Sequence, residues 1–143
     1  MNKSPQSKPT IYVADDDADD RELLMEAFQL ITDKHHLKAF SNGKELIEFL
    51  SAKSDEELPC LIVLDYNMPE LDGKEVLKHL QNSARYRQIP KVIFSTSSYW
   101  KEKSEFLSLG ANEFLTKATT FEGIVNAVKV MLSHCDNQIR LTA

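Results

Sequence analysis

Apolar positions along this chain follow two alternating rhythms. Four short unbroken runs, Ile11-Tyr12-Val13-Ala14, Leu61-Ile62-Val63-Leu64, Val92-Ile93-Phe94 and Phe114-Leu115, are each followed at once by a polar or charged residue. Such runs suit strands buried on both faces. A fifth stretch, His35 to Phe40, is half polar and closes on Ser41-Asn42-Gly43, which reads as an edge strand leading into a turn. The intervening segments have helical spacing instead. Leu23, Leu24, Ala27, Phe28 and Ile31 mark the first, Leu46, Ile47, Phe49 and Leu50 the second, and Val76, Leu77 and Leu80 the third. Phe106, Leu107 and Leu109 mark a fourth, and Ile124, Val125, Val128, Met131 and Leu132 a fifth.

Strand and helix thus alternate along the chain. Parallel neighbours need crossover connections, and these are right-handed almost without exception, so the pattern predicts an α/β fold with helices on both faces of a parallel sheet. A length of 143 residues suits one domain. We place the folded domain at residues 10–133, with a disordered polar tail at 1–9 and a C-terminal tail at 134–143. Hydrophobic residues at 42% and charged residues at 27% match ordinary globular chains. A net charge of −5 argues against direct nucleic-acid binding, and the N-terminal segment has no apolar signal region. No membrane association and a cytoplasmic location are expected. Cys60 and Cys135 form no Cys-x-x-Cys unit and read as buried or free thiols in a reducing compartment rather than as a disulfide or zinc site.

In open α/β sheets ligands bind beyond the carboxyl ends of the strands. Asp15 and Asp16 follow the first run, Asp65 follows the third, Thr96 lies just past the fourth and Lys117 just past the fifth. Three carboxylates brought to one edge repel, since two unit charges about 4 Å apart interact by about 4 kcal/mol even at an effective dielectric near 20. A cation must balance them. Oxygen-only ligands suit a hard ion such as Mg²⁺, or Mn²⁺, and Lys117 adds a compact positive charge. A carboxylate beside such an ion can attack a phosphoryl donor while Lys117 and the Thr96 hydroxyl stabilise charge on the transferring oxygens. The chemistry implied is phosphoryl transfer to Asp65.

The segments Val13-Ala14-Asp15-Asp16 and Leu64-Asp65-Tyr66-Asn67-Met68-Pro69-Glu70-Leu71-Asp72-Gly73, with Ser95-Thr96-Ser97, Gly110-Ala111-Asn112 and Lys117, resemble the receiver domain of two-component response regulators. The resemblance covers roughly residues 10–133 and is most specific at Asp-x-Asn-Met-Pro-x-x-Asp-Gly. It implies a doubly wound, flavodoxin-like five-stranded sheet of order 2-1-3-4-5 and a stand-alone receiver. It implies Asp65 as the phosphorylation site, Asp16 and Asp65 as direct metal ligands, Asn67 as a backbone-carbonyl ligand, and Asp15 acting through metal-bound water. Lys117 would pair with the phosphoryl group, and Thr96 would move inward with the Phe114 ring following it. The implied phosphodonor is a histidine kinase or histidine phosphotransfer protein, and the output is altered affinity for a downstream protein. Homodimerisation through the fourth and fifth helices or the C-terminal tail is left open.

One departure stands out. The family usually places Pro directly after the final Lys, often with a cis peptide, whereas this chain has Lys117-Ala118. A cis bond before Ala costs about 2.5–4 kcal/mol, so a trans or rearranged loop is expected. Asp17, Asp19 and Asp20 fall where a helix N-terminus favours acids and read as capping residues. Adjacent strand residues His35 and His36 point to opposite faces and read as surface or partly buried rather than as ligands, and His79 and His134 carry no signal. Tyr99 and Trp100 open the fourth helix, as core or as a partner surface. Other classes remain as alternatives. A phosphorylation-independent interaction module fits the missing Pro. An aspartate-nucleophile phosphatase would need a second Asp at Asn67, and a flavin domain would need a phosphate-binding loop where the acids stand.

Overall fold

The computed structural model describes residues 8–96 and 100–142. The strands are β1 (Thr10–Ala14), β2 (His36–Phe40), β3 (Leu61–Leu64), β4 (Lys91–Ser95) and β5 (Glu113–Thr116). The helices are α1 (Ala18–Ile31), α2 (Gly43–Ser51), α3 (Gly73–Gln81), α4 (Trp100–Ser108) and α5 (Phe121–Thr142), with a single 3-10 turn at Asp55–Glu57. All strand pairs are parallel, in the order β2-β1-β3-β4-β5. The predicted doubly wound order is the observed one, with the half-polar β2 at an edge.

The continuous apolar runs are explained by cores on both sides of the sheet. Tyr12, Ala14, Ile62, Leu64 and Ile93 face α2, α3 and α4, where Leu46, Leu50, Val76, Leu77 and Phe106 complete one core. The alternate residues Ile11, Val13, Leu61, Val63, Val92 and Phe94 face α1 and α5, meeting Leu24, Phe28, Val128 and Met131. Register holds the strand ends level: Ala14 pairs with Leu64, and Leu64 with Ile93. The residues that follow β1 and β3 therefore emerge side by side.

Helix starts follow local chemistry. Asp17, Asn42 and Asp72 cap α1, α2 and α3 through their side chains, and Asp72 forms a reciprocal capping box with Glu75. Gly73 is required by its neighbours, because a Cβ there would lie 2.7 Å from the Asp65 carbonyl oxygen. The loop thus folds tightly back on the strand end, with the Gly73 N–H donating to the Tyr66 carbonyl at 2.9 Å.

The structure corrects two sequence expectations. Helix α5 continues to Thr142, through the segment assigned to a C-terminal tail from residue 134. Cys135, fully buried in that continuation, anchors it against the core. Cys60 and Cys135 are not free thiols but form a disulfide with a Cα–Cα distance of 5.0 Å. Parallel pairing places Cys60 at the start of β3, with its N–H donating to the Thr10 carbonyl, and α5 crosses directly over that point. The N-terminal tail expectation concerns residues of which 1–7 lie outside the described residues, as does Tyr99. No helix among the described residues is long and apolar enough to cross a membrane.

Candidate functional site

The carboxyl edge of the sheet gathers the acids that the sequence places after β1 and β3. Oxygen atoms of Asp15, Asp16 and Asp65 all lie within 4.8 Å of one another. Asp15 and Asp65 are buried, at 3% and 7% exposure, whereas Asp16 faces solvent. Strand pairing holds the first two rigidly, since the Asp15 N–H donates to the Phe40 carbonyl and the Asp65 N–H to the Ala14 carbonyl. The Asp15 backbone carbonyl also accepts from the Arg21 guanidinium at 2.7 Å.

Lys117 supplies the balancing charge. Its Nζ lies 2.8 Å from Asp15 Oδ2, 2.8 Å from Asp20 Oδ2 and 3.2 Å from Asp65 Oδ2. Burial pushes the Asp15 carboxyl up to about 6, against the opposing pull of its bonds from Lys117 and the Asp17 N–H. Burial alone would lower the Lys117 ammonium, but its bonds to Asp15 and Asp20 and the charges of Asp15 and Asp65 outweigh that effect and raise it. Lys117 is therefore firmly cationic, and its N–H donates to the Ser95 carbonyl at 2.7 Å, fixing the loop after β5 against β4. The Lys117–Ala118 peptide is trans, as expected without the Pro, because the described residues hold no cis bond. Ala118 instead packs against Gly123, where a Cβ would lie only 2.5 Å from the Ala118 Cβ.

Of the other sequence candidates, Asn67 is exposed in the loop after β3, beside the acid cluster in sequence. Thr96 is exposed, directly after β4. Phe114 is a core aromatic whose ring centroid lies 5.5 Å from that of Phe106, which in turn contacts Tyr66 at 5.1 Å. A continuous aromatic path therefore joins the residue after Asp65 to β5. By sequence Asp20 is a helix-start acid, yet it grips Lys117. The missed signal was positional: α1 begins directly after β1, so its first turn overhangs the same sheet edge.

Backbone strain accompanies the site. Glu70, in the loop between Asp65 and α3, has φ of 71°, the left-handed region that favours glycine. The donor set is oxygen-only, which fits a hard divalent cation and not a soft one.

In keeping with the sheet order, the buried acid pair and the strand-end lysine, the chain belongs to the response regulator receiver domain family, whose model matches residues 11–129. It is 30% identical to response regulator Rcp1 of Synechocystis over 131 residues, covering 90% of this chain and 88% of that protein. The phosphorylated cyanobacterial phytochrome response regulator RcpA superposes with a TM-score of 0.78 at 27% identity, covering 89% of this chain and 96% of that one. The Mn²⁺-bound form of Rcp1 superposes with a TM-score of 0.76 at 28% identity, over 87% and 92% of the two chains. The chain is thus a receiver domain of two-component signalling, a signalling rather than a metabolic family.

Proposed function

We propose that Asp65 accepts a phosphoryl group from a phosphohistidine of a histidine kinase or phosphotransfer protein, and that the modified domain changes its affinity for a downstream protein. The observation that carries this reading is the placement of Asp65: buried, fixed at a strand end, with an oxygen within 4.8 Å of oxygens of Asp15 and Asp16, and 3.2 Å from the Lys117 ammonium. An Asp65 oxygen attacks phosphorus as the phosphorus–nitrogen bond breaks, and the departing imidazole keeps the electron pair and takes up a proton. The domain assists its own phosphorylation and dephosphorylation and needs no further enzymatic activity.

Asp16, Asp65 and the Asn67 carbonyl would hold Mg²⁺, with Asp15 acting through its water. When bound, the ion supplies charge neutralisation for the phosphoryl oxygens. The Mn²⁺ carried by the similar Rcp1 structure supports a divalent ion in this role. Lys117, already positioned between Asp15 and Asp65, exchanges one carboxylate for a phosphoryl oxygen. Thr96, exposed in this state, swings in to donate its hydroxyl, and Phe114 adjusts along the aromatic path to Tyr66. Phosphorylation thereby biases a two-state element through charge-assisted hydrogen bonds. A cytoplasmic location follows from such partners.

Mg²⁺ with beryllium fluoride, a mimic of the phosphoryl group, tests the reading. Amide resonances of β4, β5 and the loops after them should shift in the native protein and stay unmoved in Asp65→Asn. An unchanged spectrum in the native protein would refute it.

A further inference from the structure

A second cluster of ligand-type side chains lies at the opposite, amino-terminal end of the sheet from Asp65. His35, Cys60 and Cys135 each present an atom within 4.8 Å of the others. They come from three separate elements: His35 directly precedes β2, Cys60 directly precedes β3, and Cys135 lies in α5. Both cysteines are buried, and the His35 side chain is only 8% exposed.

The His35 ring is prepared in an unusual way. Nδ1 lies 2.7 Å from Thr32 Oγ1, whereas Nε2 is buried with no hydrogen-bond partner among the described residues. Thr32 Oγ1 also accepts from the Lys34 N–H at 3.0 Å, which holds the hydroxyl in place. An orphaned buried nitrogen is costly, and none of the described residues satisfies it in the disulfide form. Burial lowers the His35 pKa against the opposing charge of Asp136. Asp136, adjacent to Cys135, places Oδ1 3.7 Å from Nε2. That spacing is too long for a hydrogen bond. It is close to the edge of a tetrahedron around zinc, about 3.3–3.8 Å for ligand distances of about 2.0–2.3 Å.

We propose that Cys60, Cys135 and His35, with Asp136 or water in the fourth position, form a thiolate–imidazole site for Zn²⁺ that alternates with the Cys60–Cys135 disulfide. A dithiol reductant transfers two electrons and two protons to the disulfide, becoming a disulfide itself and leaving two thiols. Zn²⁺ then displaces the two thiol protons and takes the Nε2 lone pair. Release of the metal and two-electron oxidation, by a peroxide or a second disulfide, restores the bond. In the metal-bound state Thr32 Oγ1 accepts a hydrogen bond from the Nδ1–H and orients the ring, the role that outer-shell partners of metal-bound histidines fill. Cys60 also lines an open groove of about 810 Å³ beside Pro9, Leu37 and Pro59. Soft sulfur donors separate this site from the oxygen-only cluster around Asp65.

The test uses the full chain, reduced with a phosphine under anaerobic conditions and titrated with Co²⁺ as a spectroscopic stand-in for Zn²⁺. Expected is a thiolate-to-cobalt charge-transfer band with the intense visible bands of a tetrahedral site, at one equivalent, bleached by Zn²⁺. The oxidised protein should give neither. Asp65→Asn should leave the band intact, because that site offers only oxygen. Cys135→Ser should abolish it, His35→Ala should weaken Co²⁺ binding by more than about 100-fold, and Thr32→Val by about 10–100-fold. Absence of the band in reduced, folded native protein overturns the proposal. So does an undiminished affinity in His35→Ala, with folding of each variant checked by circular dichroism.

Discussion

Replacing Lys117 by Met isolates the electrostatics of the Asp65 site. The Lys117 side chain is 10% exposed, and those of Asp15 and Asp65 are 5% and 9% exposed, so removing the ammonium strands two buried carboxylates. Breaking a buried pair in this way typically costs about 3–5 kcal/mol. The cluster lies at a sheet edge beside the solvent-facing Asp16, so we take the low end, about 3 kcal/mol. For a domain of this size that corresponds to a fall in Tm of roughly 10 °C. Divalent metal should offset the loss. Each tenfold rise in Mg²⁺ above its Kd adds about 1.4 kcal/mol. Without a competing ammonium, the variant should begin to gain at lower Mg²⁺ than the native protein. Urea unfolding followed by circular dichroism, first in EDTA and then across a Mg²⁺ series, measures both effects. A variant as stable as the native protein in EDTA, or a stability gap that ignores Mg²⁺, would show that Lys117 does not balance these acids.

Other consequences are equally open to measurement. Glu70→Gly should stabilise the fold by up to about 1 kcal/mol in urea unfolding by relieving the left-handed backbone at φ 71°. Gly110→Ala should cost at least about 1 kcal/mol by the same assay, because Gly110 has φ of 104° and a Cβ would lie 2.4 Å from Gln81 Oε1. Lys91 is 1% exposed, and burial lowers its pKa from 10.5 to about 8. The unfolded chain keeps that proton to higher pH than the folded one, so the penalty is complete below pH 8 and fades as pH rises toward 10.5. Lys91→Met should therefore gain stability relative to native at neutral pH, and the difference should shrink by about 2 kcal/mol between about pH 8 and 10. A difference independent of pH would contradict this. Reduction of the Cys60–Cys135 bond, which spans 75 residues, should lower unfolding stability in EDTA by about 2–4 kcal/mol.

Much of this molecule is legible because its local signals agree with one another. Four unbroken apolar runs became the four strands with cores on both faces, and the polar-alternating run became the edge strand β2. Asp17 caps α1 as expected, and the acids after β1 and β3 meet because parallel register aligns those strand ends. What escaped reading depends on distance in sequence. Cysteine pairing across 75 residues is set by where α5 crosses β3, which no local pattern reports. His35 is partly buried, as its place in sequence suggests, but its nearness to Cys135 and Asp136 of α5 is a long-range contact that no local pattern reports. Asp20 has the composition of a helix start and the position of a site residue; only the three-dimensional overhang of α1 separates the two roles.

The central claim is that Asp65 carries the phosphoryl group. Intact-mass analysis after incubation with acetyl phosphate and Mg²⁺ tests it most directly. The account predicts a gain of one phosphoryl group in the native protein, abolished by EDTA and absent in Asp65→Asn. A native protein that stays unmodified, or an Asp65→Asn variant that gains the same mass, would contradict it.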